Sequence, residues 1–403
     1  MRLFPEGDTI LPQWKKNLYL TWITQSLSMM GFGFMLPFIP LYIQELGVTS
    51  AAELRVWVGL LIAVPSFCAG LMAPLWGYLS DRIGRKINML RAFAAGALVV
   101  GCMGLAQSVV MVLVLRIFQG LFTGTITAST TLVAAGTPGE KQSYALGFLS
   151  SSTFIGLSLG PLIGGLSAEV LGYRRTFFIG AIILAAAFVL VLVFIKDSRR
   201  GGQDCAATPF RLKVLITPGL IGLYLLFFLF RFCRMLTNPF VPLYVQEVRR
   251  SIQGAPGLTG IIIASAGAAT GLAGLTLARL GDRYRRAGLL AVFSGLAALA
   301  ALPLFFVQRL SLFICLYPLS FYFIGAVEPL IQSHLSASTP LSSRGTAIGL
   351  QTLFGSLGWF LSPLAGSAVA VGLGIRHVFL LFSLALFALF ISVLVYRRRE
   401  SVP

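Results

Sequence analysis

Long apolar segments alternate with short polar ones along almost the whole chain. A helix needs about 20 apolar residues to cross a hydrocarbon core about 30 Å thick, and most of these segments are close to that length or longer. The pattern therefore predicts twelve transmembrane helices, with both chain ends on the same side of the membrane. The predicted spans are residues 17–44, 57–79, 89–106, 109–135, 142–171, 175–195, 217–247, 257–280, 288–307, 310–336, 344–372 and 377–396.

The second half of the chain repeats the first. The segment LPFIPLYIQEL at 36–46 recurs as NPFVPLYVQEV at 238–248, so that Pro37 matches Pro239 at an offset of 202 residues (239 − 37). Six helices per half give both halves the same orientation, as in transporters built from parallel repeats around a central path. The expected fold is an all-α membrane protein with two pseudo-symmetric six-helix bundles.

The longest polar segment lies at the centre of the chain. It reads KDSRRGGQDCAATPFRLK at 196–213 and contains a glycine pair and a proline among its charges. This segment predicts an N-terminal bundle at residues 1–197, a linker at 198–213 and a C-terminal bundle at 214–403. Six predicted helices separate the linker from each end of the chain, so it lies on the same side of the membrane as both termini. Because the linker is basic, we expect that side to be the cytoplasm.

Composition agrees with a membrane protein and changes the meaning of the charge. Hydrophobic residues make up 57% of the chain and charged residues 11%, unlike soluble domains. The net charge of +18 comes from Lys and Arg that are concentrated in alternate loops, as the positive-inside rule describes. We therefore expect an inner-membrane protein with cytoplasmic termini and no nucleic-acid partner. The five scattered cysteines lack metal-ligand spacing, and no metal or cofactor is expected.

The loop after the second predicted helix contains the most specific motif. It reads Gly77-Tyr78-Leu79-Ser80-Asp81-Arg82-Ile83-Gly84-Arg85-Lys86, and it resembles the G-x-L-x-D-R-x-G-R-K signature of the major facilitator superfamily. We call these residues the latch loop, because a carboxylate among three cations and two permissive glycines would suit a cytoplasmic latch. The alternative is a basic loop with one counter-ion. The second copy has Arg285 in place of the second glycine and departs from the signature.

Two further motifs resemble those of this superfamily. In the fourth helix, Arg116 begins an R-x-x-Q-G pattern about 10 Å inside the helix end. A charge at that depth is usually functional, and the alternative is an arginine that extends to the interface. In the fifth helix, Gly156, Gly160, Pro161 and Gly164 match G-x-x-x-G-P-x-x-G-G, the antiporter motif of drug/proton exporters. The alternative for these glycines is ordinary helix packing.

The resemblance extends over residues 15–396 and points to the drug/proton antiporter group of twelve-helix exporters. It implies alternating access, with helices 1, 4, 7 and 10 lining a central cavity. It also implies a small-molecule substrate, protons and the lipid bilayer as partners, and a monomer is expected. The fifth-helix motif favours export. The latch loop occurs in exporters and importers alike, so a proton-coupled importer of a small organic solute stays the alternative.

Few charges lie well inside the apolar spans, and they fall on helices expected to line the cavity. Arg231, Arg234 and Asn238 share one face of the seventh helix, and Glu328 lies in the tenth. We predict that Arg231, Arg234, Asn238 and Arg116 bind the substrate. The substrate would be either a drug or an anionic metabolite such as a carboxylate siderophore. Clustered arginines favour the anion. Glu328 is the predicted proton carrier, and the alternative is that it neutralises one arginine as a structural pair.

Two other classes of function agree less well with the sequence. A membrane enzyme would need a nucleophile, metal ligands or paired acids near one membrane face, and the chain has two histidines and one deep acid. A channel does not require repeated Gly- and Pro-rich helices or a latch loop. No G-x-x-x-x-G-K-[ST] phosphate loop occurs. We therefore expect an ion gradient to supply the energy and no enzymatic activity.

Overall fold

The computed structural model describes residues 12–138, 141–195, 217–282, 284–339 and 344–400. Within these residues every regular element is a helix, and the predicted fold of twelve helices in two six-helix bundles is confirmed. The predicted linker at 198–213 lies outside the described residues. Helices 2, 3, 5, 6, 11 and 12 are continuous and comprise Ala51–Ile83, Arg85–Gly104, Gln142–Leu171, Tyr173–Phe194, Arg344–Leu373 and Ile375–Glu400.

Helices 1, 4, 7 and 10 are each interrupted. Their paired segments are Gln13–Gly33 with Ile39–Glu45, Val109–Phe122 with Thr125–Gly136, Pro218–Leu236 with Val241–Arg249, and Leu310–Gly325 with Val327–Ala337. In helices 1 and 7 the interruption contains Pro37 and Pro239, which lack the backbone N–H that a helix needs. In helices 4 and 10 the segments separate at Gly124 and after Gly325, positions that match in the repeat.

Helices 8 and 9 each continue into a short 3-10 segment. Helix 8 comprises Ala255–Leu275 followed by Ala278–Asp282, and helix 9 comprises Arg286–Ala301 followed by Leu302–Phe305. Short connections make successive helices antiparallel, so the bundle has two distinct ends. We call the end that carries the latch loop, Gln13 and Glu400 the terminal face, and the opposite end the distal face.

Eleven helices in the described part of the chain are long and apolar enough to cross a membrane. Helix 1 is the exception because its longer segment begins with the polar residues Gln13, Lys15, Lys16 and Asn17 and because it is interrupted before Ile39. It nevertheless packs along helices 5 and 6 inside the first bundle. The chain is a multi-pass membrane protein.

The two bundles contact each other toward the distal face and separate toward the terminal face. Helix 2 meets helix 11, and helix 5 meets helix 8. A Cβ atom added at Gly70 of helix 2 would lie 3.6 Å from Ser356 of helix 11, but at Gly77, on the same face two turns later, it would have no described neighbour within 4 Å. Along helix 8, a Cβ atom added at Gly267 would contact Ser158 of helix 5, whereas one added at Gly274 would have no described neighbour within 4 Å. The space between the bundles therefore opens to the terminal face.

Candidate functional site

An ion pair joins helices 7 and 10 in the second bundle. Nη2 of Arg231 donates a hydrogen bond to Oε1 of Glu328 at 2.6 Å. Glu328 lies in the first turn after the interruption of helix 10, where the helix dipole favours a negative charge. The side chains of Arg231 and Glu328 are 25% and 13% exposed. Because ionised groups avoid lipid, we take their exposed parts to face the space between the bundles.

Two aromatic rings lie near the guanidinium group of Arg231. Its Cζ lies 4.7 Å from the ring centre of Trp359 on helix 11 and 5.0 Å from that of Phe227, one turn earlier on helix 7, which is the range of cation–π contacts. Helix 11 approaches this closely because Gly358 has no side chain, since an added Cβ would lie 3.1 Å from Cβ of Arg231. The rings and Glu328 together fix the position of the cation.

Arg234 lies one turn further along helix 7 in a different environment. Its Nη1 donates to Oγ1 of Thr270 on helix 8 at 2.7 Å, and its Cζ lies 5.6 Å from the ring of Phe321 on helix 10. Among the described residues, no carboxylate lies within ion-pair distance of this guanidinium group. We call Arg231, Arg234 and Glu328 the charge cluster. With both guanidinium groups and the carboxylate ionised, it has one excess positive charge.

Asn238 lies in the interruption of helix 7 and is bound to helix 10. Its Oδ1 accepts a hydrogen bond from the hydroxyl group of Tyr317 at 2.7 Å. The same hydroxyl lies 3.0 Å from Oγ1 of Thr237. These contacts connect the two interrupted helices on the distal side of Arg234. The role of Asn238 in substrate binding stays a prediction.

Arg116 is separate from the charge cluster. It is 5% exposed inside the first bundle. Its Nε donates to the backbone oxygen of Leu61 at 2.7 Å, and its Nη1 donates to Oε1 of Gln119 at 2.8 Å and lies 3.2 Å from Sδ of Met35. These contacts join helix 4 to helices 2 and 1 and supply polar partners that a buried guanidinium requires. Its described partners are Leu61, Gln119 and Met35 of the first bundle, and Glu328 is not among them.

The latch loop contains a position that strongly favours glycine. Gly84 alone connects helices 2 and 3, with a φ angle of 99° that side chains disfavour. Arg82 lies over the ring of Tyr78 at 4.6 Å, and Nζ of Lys86 donates to a backbone oxygen of helix 6 at 2.8 Å. The side chain of Asp81 lies outside the described part of the structure. The latch function itself stays a prediction.

The second copy of the loop has a longer connection. Arg285 occupies the position of Gly84 and has a φ angle of −59°. Helix 8 ends at Leu275, and a 3-10 segment follows. A residue with a side chain adopts the positive φ of the one-residue turn only with strain. Where the signature glycine is replaced by Arg285, helices 8 and 9 are therefore joined by a longer connection than the single residue between helices 2 and 3.

The glycines of the antiporter motif face helix 1 within the first bundle. They are Gly156, Gly160 and Gly164. A Cβ atom added at Gly160 would lie 2.7 Å from the backbone oxygen of Met30. The backbone oxygen of Pro161 instead faces helix 8 of the second bundle, where a Cβ on Gly260 would lie 2.5 Å away. One motif thus serves both the packing inside a bundle and the seam between bundles.

Sequence reasoning missed several side chains around the charge cluster. They are Phe227, Thr270, Tyr317, Phe321 and Trp359. Trp359 offered a signal, because it is the one tryptophan in the second half of the chain. Thr270 offered none, because a hydroxyl group in an apolar helix usually bonds to its own backbone. Its contact with Arg234 depends on how helix 8 packs beside helix 7.

Known proteins match this chain over most of its length. The sequence model of the Major Facilitator Superfamily matches residues 21–251 and 223–403. The chain is 34% identical over 361 residues to the multi-drug resistance efflux pump PmrA homolog of Lactococcus lactis, covering 89% of each protein. It is 33% identical over 369 residues to the multidrug resistance protein MdtG of Salmonella arizonae, covering 91% of each.

Solved structures share the fold at lower sequence identity. A bacterial homolog of the human lysosomal transporter Spinster, in an inward-facing and unoccupied conformation, superposes with a TM-score of 0.79 at 16% identity, covering 97% of this chain and 98% of that one. The human organic anion transporter MFSD10 (TETRAN) superposes with a TM-score of 0.69 at 17% identity, covering 95% and 100%. At these identities the likeness concerns the fold alone.

Proposed function

The chain belongs to the Major Facilitator Superfamily and to its drug/proton antiporter group, and on that premise we propose that it is a proton-driven exporter of drug-like small molecules. It is a membrane transporter rather than an enzyme. The charge cluster carries the proposal, because it combines an ion pair with a guanidinium group that lacks a described carboxylate partner. The cluster lies on two interrupted helices, beside a space open to one face. The names of the efflux-pump relatives support export.

We place the terminal face in the cytoplasm of an inner membrane. The basic latch-loop residues Arg82, Arg85 and Lys86 lie on this face, and the positive-inside rule assigns such loops to the cytoplasm. Both termini and the linker at 198–213 are then cytoplasmic, between bundles at residues 1–197 and 214–403. One chain contains the complete path, so we take the monomer as the transport unit. The present conformation would receive substrate from the cytoplasm.

Exchange of substrate for proton requires that each weakens the binding of the other. A carboxylate accepts several hydrogen bonds, so Glu328 could hold Arg231 and also bind a donor group of the substrate. Protonation from outside would neutralise Glu328 and weaken its attraction for a cationic or donor group. We therefore assign to the exported molecule a cationic or hydrogen-bond-donating group that binds Glu328.

The other side chains of the site suit the rest of such a molecule. Arg234 offers positive charge to an anionic or acceptor group. Trp359 and Phe227 offer ring faces to an aromatic part. An aromatic molecule with a cationic group and an anionic or acceptor group would use all of them. The clustered arginines predicted an anionic substrate, and the proposal adds that this substrate also has a cationic or hydrogen-bond-donating group.

Import of an anion together with a proton is the second candidate. The excess positive charge at Arg234 favours it. If an anion competes with Glu328 for Arg231, protonation of Glu328 releases Arg231 and strengthens anion binding. Proton and anion would then bind together, and the coupling would have the sign of symport.

The sign of proton coupling distinguishes these candidates. Purified protein in lipid nanodiscs is titrated with rhodamine B, an aromatic zwitterion, or with 2-naphthoate, an aromatic anion, in weakly buffered solution. The exporter should release protons when rhodamine B binds, and inverted vesicles with an acidic lumen should accumulate the dye. Proton uptake on binding of 2-naphthoate would instead support the importer. Binding of either probe without any proton exchange would contradict a role for Glu328.

A further inference from the structure

A reciprocal pair of hydrogen bonds connects the two bundles at the distal face. Nε2 of Gln44 donates to Oε1 of Gln246 at 2.9 Å, and Nε2 of Gln246 donates to Oε1 of Gln44 at 3.0 Å. The two residues are 202 positions apart, which is the offset of the repeat. A residue that contacts its own counterpart lies on the two-fold axis that relates the halves. The amide pair therefore marks the pseudo-symmetry axis of the molecule.

Each glutamine is held firmly to its own bundle. Gln44 lies on Ile39–Glu45, and the hydroxyl group of Tyr42 on this segment donates to the backbone oxygen of Met103 at 2.8 Å. Gln246 lies on Val241–Arg249, and the hydroxyl group of Tyr244 donates to the backbone oxygen of Val307 at 2.6 Å. Both tyrosines are fully buried.

An ion pair within each bundle adds a second attachment. Glu45 pairs with Arg174 at 3.4 Å, and Glu247 pairs with Arg376 at 3.7 Å. These four residues also correspond in the repeat, and neither ion pair crosses between the bundles. A movement of one bundle would therefore carry its glutamine away from the other.

The remaining contacts across the distal seam are of other kinds. Helices 5 and 8 meet through the backbones of Gly165 and Gly260. Arg55 of helix 2 donates to the backbone oxygen of Ala370 on helix 11 at 2.7 Å. Among the described residues, Gln44 and Gln246 are the one pair of side chains that hydrogen-bond to each other between the bundles. The amide pair is thus a contact in which both partners are side chains, so substitutions can change both of its halves.

We propose that Gln44 and Gln246 form a distal lock that holds the terminal-open conformation and must separate before the distal face opens. The inference rests on the proposed alternating access. A neutral amide pair suits a contact that breaks in every cycle, because it has no net charge to attract salt ions or protons from outside. Each amide can both donate and accept a hydrogen bond, so the pair can form again without a fixed order of donor and acceptor.

The test measures the distance between the bundles at the terminal face, which does not depend on knowing the substrate. Spin labels are attached at Tyr144→Cys and Tyr284→Cys, two exposed positions in different bundles, with the native cysteines replaced by serine. Gln44→Glu with Gln246→Glu sets two carboxylates against each other. We expect this variant to shift the label distances to a shorter, terminal-closed population by several-fold.

The reverse change should strengthen the lock. Gln44→Glu with Gln246→Lys replaces the amides by an ion pair, and we expect it to keep the long distance and to slow dye efflux by about tenfold. Gln253→Glu with Gln308→Glu is the matched control, because it adds the same charge at exposed positions of the distal face. Equal distance distributions in the Glu/Glu, Glu/Lys and control variants would overturn the proposal. If the distances respond as expected but no dye is exported on a proton gradient, the lock stands and the proposed function fails.

Discussion

Arg231 makes contacts that depend on the shape of a guanidinium group. One nitrogen donates to Glu328, while Cζ lies 4.7 Å from the ring centre of Trp359 and 5.0 Å from that of Phe227. A lysine would keep the charge but has no planar group that can both bind a carboxylate and stack on an aromatic ring. Arg234 shares the charge but has Thr270 and Phe321 as neighbours. The two arginines should therefore have different functions, with Arg231 positioning Glu328 and Arg234 binding the ligand.

A pair of dyes tests the assignment of Arg234. Rhodamine B carries a carboxylate, whereas rhodamine 6G has an ester at that position and is a cation only. We expect Arg234→Met to weaken rhodamine B binding about ten- to hundredfold, because losing a hydrogen bond to a charged group costs about 1.5–3 kcal/mol. Rhodamine 6G should bind nearly unchanged, as should both dyes in the control Arg309→Met, an exposed distal position. Equal losses for the two dyes would speak against Arg234 as the anion site.

The proton role of Glu328 has its own test. Glu328→Gln keeps the size of the side chain but cannot exchange a proton, so dye binding should release no protons and its affinity should stop depending on pH. Gradient-driven flux in proteoliposomes should be lost, while exchange of dye for dye continues. Uphill transport by this variant on a pH gradient would show that Glu328 is not the carrier and that its pair with Arg231 is structural.

The residues of the charge cluster could be found from the sequence because charges in apolar helices are rare and costly. That reasoning selected Arg231, Arg234 and Glu328, and the structure brings Arg231 and Glu328 into contact. It also selected Arg116, which lies elsewhere. Depth in a helix is readable from the sequence, but the direction in which a side chain points depends on helix rotation and packing. Rise per residue puts Arg231 and Glu328 at depths that an extended arginine can connect, but it does not show that Arg116 has other partners.

Each bundle brings two of its helices together through a stripe of small residues. Helix 5 uses the antiporter-motif glycines against helix 1. Helix 11 uses matching positions against helix 7, namely Gly358, Ser362 and Gly366. The repeat therefore extends to the packing of individual helices. Close packing and antiporter function need not be alternatives here, because helix 5 also forms the seam with helix 8.

Gly160→Leu tests the helix 5 stripe. A leucine would push against the backbone oxygen of Met30, which lies 2.7 Å from the position of its Cβ, and overpacking of this kind costs about 1–3 kcal/mol. We expect loss of dye efflux and a lower thermal unfolding temperature. Gly219→Leu is the control, since an added Cβ there meets no described atom within 4 Å. Full activity of the Gly160 variant would remove support for the antiporter motif.

The interruptions of helices 1, 4, 7 and 10 could not be read from apolar patterning. Hydropathy treats residues 17–44 as one span, yet helix 1 separates into two segments at Pro37. Proline alone does not decide the outcome, because helix 5 stays continuous through Pro161. The helix 4 interruption at Gly124 requires a positive φ of 73°, which glycine permits but its presence does not signal. Whether a proline or glycine interrupts a helix therefore depends on how neighbouring helices pack against that position.

The molecule as a whole is closed at the distal face and open at the terminal face. Transport by alternating access also requires the reverse arrangement, in which the terminal ends of the bundles meet. The latch loop lies on that face, and its Gly77 has no described neighbour within 4 Å of an added Cβ. We therefore interpret the latch loop as a contact that forms when the terminal face closes. The distal lock and the latch loop would then stabilise opposite conformations.

Asp81→Asn tests this division of roles. Removing the carboxylate should weaken the terminal-closed conformation alone, so the labels at Tyr144→Cys and Tyr284→Cys should stay at the long distance at every pH. Dye efflux should fall at least tenfold while membrane insertion is normal.

Combining Asp81→Asn with Gln44→Glu and Gln246→Glu weakens both conformations, and the short-distance population should partly return because the two changes act on one equilibrium from opposite sides. Glu53→Gln, at the distal end of helix 2, is the charge-matched control. Near-normal efflux by Asp81→Asn would contradict the latch assignment, and the closing contact would then have to be sought between helices 2 and 11 or between helices 5 and 8.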